Sequence, residues 1–275
     1  MPGRLWAVPG GTRLTIVDAF TDTPFRGNPA AVCVLLRATS ERWMSAVANE
    51  LNLPMTAFAV PRSDGDYDLR WFTPTVEVAI CGHATLAAVH VLGRDVRFHT
   101  QSGLIPCRCH RDGVIEMNFP ALSVAPVTDS KALAATAEAL AVPGTAIRGM
   151  WAGGEWRLVE FASAREVRAL VPDFAGLRSL AGVVVAVATP GDQEGADSAC
   201  RVFEPASGID EDPVTGSAHC VIAPWLAART GRTEFRGQQL SARGGLVGMR
   251  VLADRVLLRG RAVTAIEGTL RPEPD

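Results

Sequence analysis

Two stretches of this sequence set reactive side chains against the start of an apolar run. They are EVAICGHATLAAVHVL (77–92) and EDPVTGSAHCVIAPWL (211–226). In the first, Cys81 and His83 flank Gly82; in the second, Thr215 and Ser217 flank Gly216, with Asp212 just upstream. A helix starting at either glycine presents free N–H groups and a partial positive charge. Glycine there lets a ligand approach the backbone closely. Two such helices pointing into one cleft would hold an anion between them, and the same N–H groups could stabilise charge developing on a carboxylate or enolate. Cys81, His83, Asp212, Thr215 and Ser217 around that cradle can move protons or orient a substrate. Taken singly, each has a plainer reading: Cys81 as core packing, His83 as a helix-start residue bonded to backbone, Asp212 as a turn residue before Pro213, and Ser217 as an ordinary first-turn serine. Their recurrence at two matching helix starts is what points to chemistry.

The elements that must carry these residues follow from the hydrophobic pattern. HATLAAVHVL and SAHCVIAPWLAA have no charged face, so each helix is expected to be buried on all sides, running through the middle of its own curved sheet. Pro224 inside the second removes one helical hydrogen bond and is expected to kink it. Around the first helix the pattern gives strands at 13–20, 30–36, 55–60, 67–72, 96–100, 104–109 and 114–119, and a helix over 41–51 capped by Ser40. The second half gives a helix over 129–140, a hairpin about Gly153-Gly154, a capping box at Ser163 and Glu166, strands at 183–189 and 200–205, and four short strands from about 235 to 266. The order of elements repeats, which points to two α/β domains. His90, His219 and Cys220 lie inside the apolar helices and read as packing. His99 and His110 belong to no cluster that the sequence defines.

Composition narrows the partners. Net charge is −2 and no Lys/Arg block occurs among the 275 residues, which argues against nucleic acid and membrane surfaces. The apolar run at 182–188 is far shorter than the roughly 20 residues that span a bilayer. The opening MPGRLWAVPGG lacks the apolar core of an export signal and reads as a loose arm, so a cytoplasmic location is expected. The six cysteines are scattered, and disulfides are not expected. CRCH at 107–110 does not have the spacing of a metal site, and HExxH, GxxxxGK[ST] and GxGxxG are absent, so no metal is expected.

The motifs VDAFTDTPFRGNPAAV (17–32), RWFTPTVEVAICGHATLAA (70–88) and RVFEPASGIDEDPVTGSA (201–218) resemble the PhzF-like family of phenazine biosynthesis. The resemblance implies a diaminopimelate-epimerase-like fold of the α/β (α+β) class. Two similar domains, 12–122 and 123–270, would each wrap a curved mixed sheet or barrel around a central apolar helix, with the active site in the cleft between them. It also implies a homodimer that uses no cofactor and acts on a small carboxylate, the best-understood activity being a proton shift that isomerises a dihydroanthranilate-type ring. By matching position, His83, Asp212 and Ser217 would be catalytic and Gly82 and Gly216 the backbone cradle. Asn28 and Thr215 would bind substrate. Secondary-metabolite and antibiotic biosynthesis are the settings the family often serves.

One position departs from the family. Where the family reads NLSETxF and its glutamate carries the migrating proton, this chain reads NLPMTAF (52–58), with Met55 in place of the acid. A thioether is no general acid or base, and Glu50, on the preceding helix, is not expected to substitute. Asp212 and His83 would then share the proton transfer, while Met55 shapes the pocket for a flatter substrate. Racemases of the same fold use two thiols; here Cys81 matches the first, but Thr215 occupies the second. The expected function is therefore a cofactor-independent double-bond isomerase of a small cyclic or unsaturated carboxylate. The alternatives are an epimerase or dehydratase using Cys81, its thiolate favoured by the helix start, and a non-catalytic small-molecule-binding homologue.

Overall fold

The computed structural model describes residues 7–8, 11–272 and 274. Of the arm expected at the N-terminus, residues 1–6 and 9–10 lie outside the described residues; 7–8 form a short strand. The chain divides into two compact units, Met1–Asn118 with Arg259–Asp275, and Phe119–Leu258.

In chain order the first unit contains β1 (Ala7–Val8), β2 (Gly11–Ala19), β3 (Asn28–Val34), α1 (Glu41–Leu51), β4 (Met55–Pro61), β5 (Tyr67–Phe72), β6 (Glu77–Val78), α2 (Gly82–Leu92), β7 (Val96–Thr100), β8 (Gly103–Cys109) and β9 (Ile115–Pro120). The second contains β10 (Ala125–Pro126), α3 (Ser130–Ala139), β11 (Gly149–Gly153), β12 (Trp156–Glu160), α4 (Ala164–Ala169), α5 (Phe174–Leu180), β13 (Val183–Ala188), β14 (Ser198–Glu204), β15 (Ile209–Asp212), α6 (Gly216–Thr230), β16 (Glu234–Gln239), β17 (Gly245–Leu252) and β18 (Arg255–Gly260). The last strand, β19 (Ala262–Leu270), pairs antiparallel with β2. The domains implied by the resemblance take 123–270 as the second; residues 262–270 instead belong to the first unit, where β19 pairs with β2. Hydrophobic alternation marks a strand but does not name its partner.

Each unit is a mixed sheet with the same succession of pairings. β2–β3, β4–β5 and β7–β8 are antiparallel, while β3–β4 and β5–β7 are parallel. β11–β12, β13–β14 and β16–β17 are antiparallel, while β12–β13 and β14–β16 are parallel. A parallel pair needs a crossover, and helices supply it at matching places: α1 and α2 in the first unit, α4–α5 and α6 in the second. α5 had no signal in the sequence strong enough to separate it from α4. No described helix is long and apolar enough to cross a membrane.

The two apolar helices are the cores of their units. α2 packs against β2, β3, β4, β8 and β19, and Ala84, Leu86, Ala87, Ala88 and Val89 are fully buried. Burying one such aliphatic side chain as large as Leu or Val contributes about 1.5–3 kcal/mol. α6 packs against β12 and β17 and continues through Pro224 to Thr230. Proline cannot bond the carbonyl four residues back; that carbonyl, on Cys220, accepts instead from the Leu122 N–H at 3.0 Å. On the other face of the first sheet, α1 packs Met44 and Val47 against Cys33, Phe58 and Phe72.

Helix starts divide into two kinds. Ser40, Asp129, Ser163 and Asp173 cap α1, α3, α4 and α5 through their side chains. In the Ser163 motif the Glu166 carboxylate accepts from the Ala162 N–H at 3.1 Å, one residue earlier than the expected box. No side-chain hydrogen bond caps α2 or α6.

Candidate active site

In the second unit the site is built from β14, β15 and the start of α6. Arg201 on β14 forms a two-pronged ion pair with Glu211 on β15, at 2.8 Å for each prong. Its guanidinium lies 5.0 Å over the Phe203 ring and also donates to the Leu170 carbonyl. This fork fixes β15 against β14 and so places the next residue, Asp212, opposite Val202. Pro213 then turns the chain into α6. Thr215, the residue before the helix, gives its hydroxyl proton to the Asp212 carboxylate at 2.5 Å instead of capping the helix. Gln239 on β16 completes the frame: it accepts from the Thr215 N–H at 2.8 Å and donates to the Asp212 carbonyl at 2.6 Å. Asp212, Thr215 and Ser217 are all buried, at 5 %, 6 % and 8 % exposure. Gly216 and Ser217 thus open a helix whose first amides carry no side-chain cap, one turn from a buried carboxylate.

The first unit repeats this plan with other chemistry. Arg70 on β5 forks onto Glu77 on β6 at 2.7 and 2.6 Å, and lies 5.2 Å over Phe72. Glu77 and Glu211 each stand five residues before the glycine that opens the helix. Val78 therefore occupies the place of Asp212, Cys81 that of Thr215, and His83 that of Ser217. Cys81 Sγ lies 3.5 Å from His83 Nδ1, and both residues are buried at 4 % exposure. The Thr85 hydroxyl holds the Cys81 carbonyl at 2.5 Å. Met55 opens β4 as the register partner of Ala30 and is 6 % exposed. Asn28 opens β3 opposite Ala19 and is fully buried. The structure thus joins Cys81 with His83, and Asp212 with Thr215, as two local groups.

The remaining titratable groups sort by surroundings. His219 donates from Nδ1 to the Thr215 carbonyl, 2.8 Å away, and burial pulls its imidazole down to about 4. It is a neutral core histidine lying over Gly237, where a Cβ would come within 2.5 Å of its ring. His90 meets the Thr264 hydroxyl at 3.0 Å. Burial pushes the thiols of Cys33, Cys107, Cys200 and Cys220 up, which makes them inert packing groups. All six cysteines are free thiols. His99 does join a cluster, with Asp64 and Asp66. Arg97 pairs with Asp66 at 2.9 Å and Arg62 with Asp64 at 3.5 Å. Those carboxylates are already neutralised by arginines, and the group is not part of either helix-start cluster.

Sequence reasoning missed Gln239, both Arg–Glu forks and the half-buried acid Glu204. The forks had a signal: Arg-x-Phe followed by a glutamate five residues before a helix-opening glycine occurs twice, in RWF…E and RVF…E. Gln239 had none, because it reaches Asp212 from a strand that follows the helix.

Comparison with known proteins gives one answer. Residues 17–268 match the family described as phenazine biosynthesis-like protein, PhzC-PhzF. An uncharacterized isomerase of Halalkalibacterium halodurans is 38 % identical over 94 % of this chain and 98 % of its own length. One from Pseudomonas aeruginosa is 41 % identical over 92 % and 96 %. The crystal structure of a PhzF-family phenazine biosynthesis protein from Enterococcus faecalis superposes with a TM-score of 0.84, at 33 % identity over 94 % of this chain and 98 % of that one. A hydroxyproline epimerase from Agrobacterium vitis shares the fold, with a TM-score of 0.59 at 12 % identity. With nearly the whole length matched in sequence and in fold, the chain belongs to the phenazine biosynthesis-like (PhzC/PhzF) family of isomerases.

Proposed function

We propose that the protein is a cofactor-independent isomerase that shifts a proton, and with it a double bond, on a small cyclic or unsaturated carboxylate. The observation that carries this reading is the division among helix starts. Four helices are capped by Ser or Asp side chains, while the two apolar ones open on glycine without a side-chain cap. At both, the residue before the helix turns its side chain to a proton-transfer group: Thr215 to Asp212, Cys81 to His83. The first-turn amides of α6, beginning at Gly216 and Ser217, then receive the substrate carboxylate and the charge that builds on it as a proton leaves the adjacent carbon. Asp212, as the carboxylate, takes that proton; His83 is the second proton-transfer group. Asn28 and Met55 contribute to substrate binding, Met55 with an apolar wall where the family has an acid. The family resemblance supports a cytoplasmic homodimer working in secondary-metabolite biosynthesis.

The test is solvent deuterium uptake. The protein is incubated in heavy water with a panel of small cyclic and unsaturated carboxylates and amino acids, and mass shifts and product isomers are read. Label entering carbon together with a shifted double bond is the expected result. Compounds that bind by calorimetry yet take up no label would overturn the reading.

The 3.5 Å approach of Cys81 Sγ to His83 Nδ1 favours one second reading, an epimerase or dehydratase with Cys81 as base. It requires Cys81→Ser to lower uptake at least about 100-fold, the scale of a lost general base, and substrate to protect against a thiol alkylator. Full activity of Cys81→Ser rejects it.

A further inference from the structure

We infer that Glu204 is a second proton-carrying carboxyl of the Asp212 group, taking the part that Met55 cannot; this rests on the isomerase reading above. Its placement comes first. Val202 on β14 is the register partner of Asp212 and Glu204 that of Ile209, with a bulge between the two pairs, so Glu204 lies two residues along β14 from the residue that faces Asp212. Arg201 and Phe203 are engaged with Glu211 and the α3–α5 core. Two residues along a strand is about 7 Å of backbone, and the Asp212 charge reaches the Glu204 carboxyl.

Its surroundings come second. Glu204 is half-buried at the end of β14, where the Ser207 hydroxyl donates to Oε1 at 2.5 Å. Arg178, on the helix packed against that turn, gives its guanidinium to the Pro205 carbonyl and to Asp210. The charges that act on Glu204 are Asp212 and Glu155, both acids. Burial first, and those two charges after it, push the carboxyl up to about 7 against the opposing Ser207 bond. A carboxyl in that state holds a proton at neutral pH and can release it.

The repeat between the units comes third. Thr56 pairs with Phe72, which sets Met55 level with Thr73 on the next strand. Val184 pairs with Phe203, which sets Val183 level with Glu204. The second unit therefore carries an acid one strand over from the place that matches Met55.

The step balances without a cofactor. Asp212 as carboxylate removes a proton from one substrate carbon, and the electron pair of that C–H bond becomes the new double bond. The old double bond's pair forms a C–H bond to another carbon with the proton of Glu204. Asp212, now the acid, passes its proton to the Glu204 carboxylate and both groups are restored.

Two measurements decide it. In protein carrying ¹³C-carboxyl glutamate, with Glu204 assigned by Glu204→Gln, the Glu204 signal is expected to titrate near neutral pH and to move down in Asp212→Asn. Titration in the ordinary carboxylate range in the wild type would overturn the inference, whatever the substrate. In the deuterium assay Glu204→Gln is expected to lower uptake at least about 100-fold, with partial rescue by Glu204→Asp. Undiminished uptake would also overturn it. If the wild type labels no compound it binds, the isomerase reading fails by itself, and the titration still decides whether the coupled carboxyls exist.

Discussion

Glu204 carries a consequence for stability as well as for chemistry. Its carboxyl is raised from the ordinary value of 4.5 to about 7 in the fold, so the folded state binds this proton more tightly than the unfolded chain does. Stability contributed by the protonated acid is full below the unfolded pKa, falls as pH rises from 4.5 to about 7, and is gone above that window. Glu204→Gln keeps the shape and removes the charge. It is expected to leave unfolding free energy nearly unchanged at pH 4 and to raise it by up to about 3 kcal/mol at pH 8, the linkage value of such a shift. Urea denaturation of both proteins at the two pH values checks this; equal stability at pH 8 would mean the carboxyl is solvated. His219 acts in the opposite direction over an overlapping window, since burial lowers its imidazole, so only the difference between variant and wild type isolates Glu204. Single residues were unevenly legible in the sequence. His219 reads as packing because it lies inside an apolar helix, and it is packing. Glu204 gave no sign, because only the folded sheet brings it within reach of the Asp212 charge.

At the scale of elements, the Arg–Glu forks decide how the helix starts are held. Arg201 and Glu211 have side-chain exposures of 12 % and 22 %, so breaking the pair leaves a largely desolvated charge behind. Arg201→Met is expected to cost about 2–3 kcal/mol, somewhat below a fully buried pair, and to lower kcat about 10–100-fold as Asp212 loses its placement. Arg201→Lys retains the charge without the planar fork; it should recover most of the stability while kcat stays low. Thermal unfolding and steady-state kinetics on a labelled compound separate the two effects, and a lysine variant with full kcat would reduce the fork to a structural tie. Helices were the most legible elements. Ser40, Asp129 and the Ser163–Glu166 pair announce their starts, and the uniformly apolar composition of α2 and α6 announces burial. α5 and the two-residue β6 were not legible, being too short to show a period.

For the whole molecule, the order of elements in each half was readable, and the succession of strand pairings repeats between the two units. Which strand closes the first sheet was not readable: β19 crosses the whole length of the chain to reach β2, and local pattern carries no information about partners so distant. Family membership came through motifs concentrated at the two helix starts, and the same motifs account for most of the proposed site. Met55 is where that inference stops, because the residue implied to carry the proton is absent. The decisive question is therefore whether proton transfer persists and runs through Asp212. The measurement that tests this most directly is solvent deuterium uptake by wild type and Asp212→Asn on the same panel compound. Uptake by the wild type that falls about 10²–10⁴-fold in the variant, the range for a lost general base, with circular dichroism unchanged, is the predicted result. Uptake undiminished in Asp212→Asn would remove Asp212 from the mechanism and contradict the account.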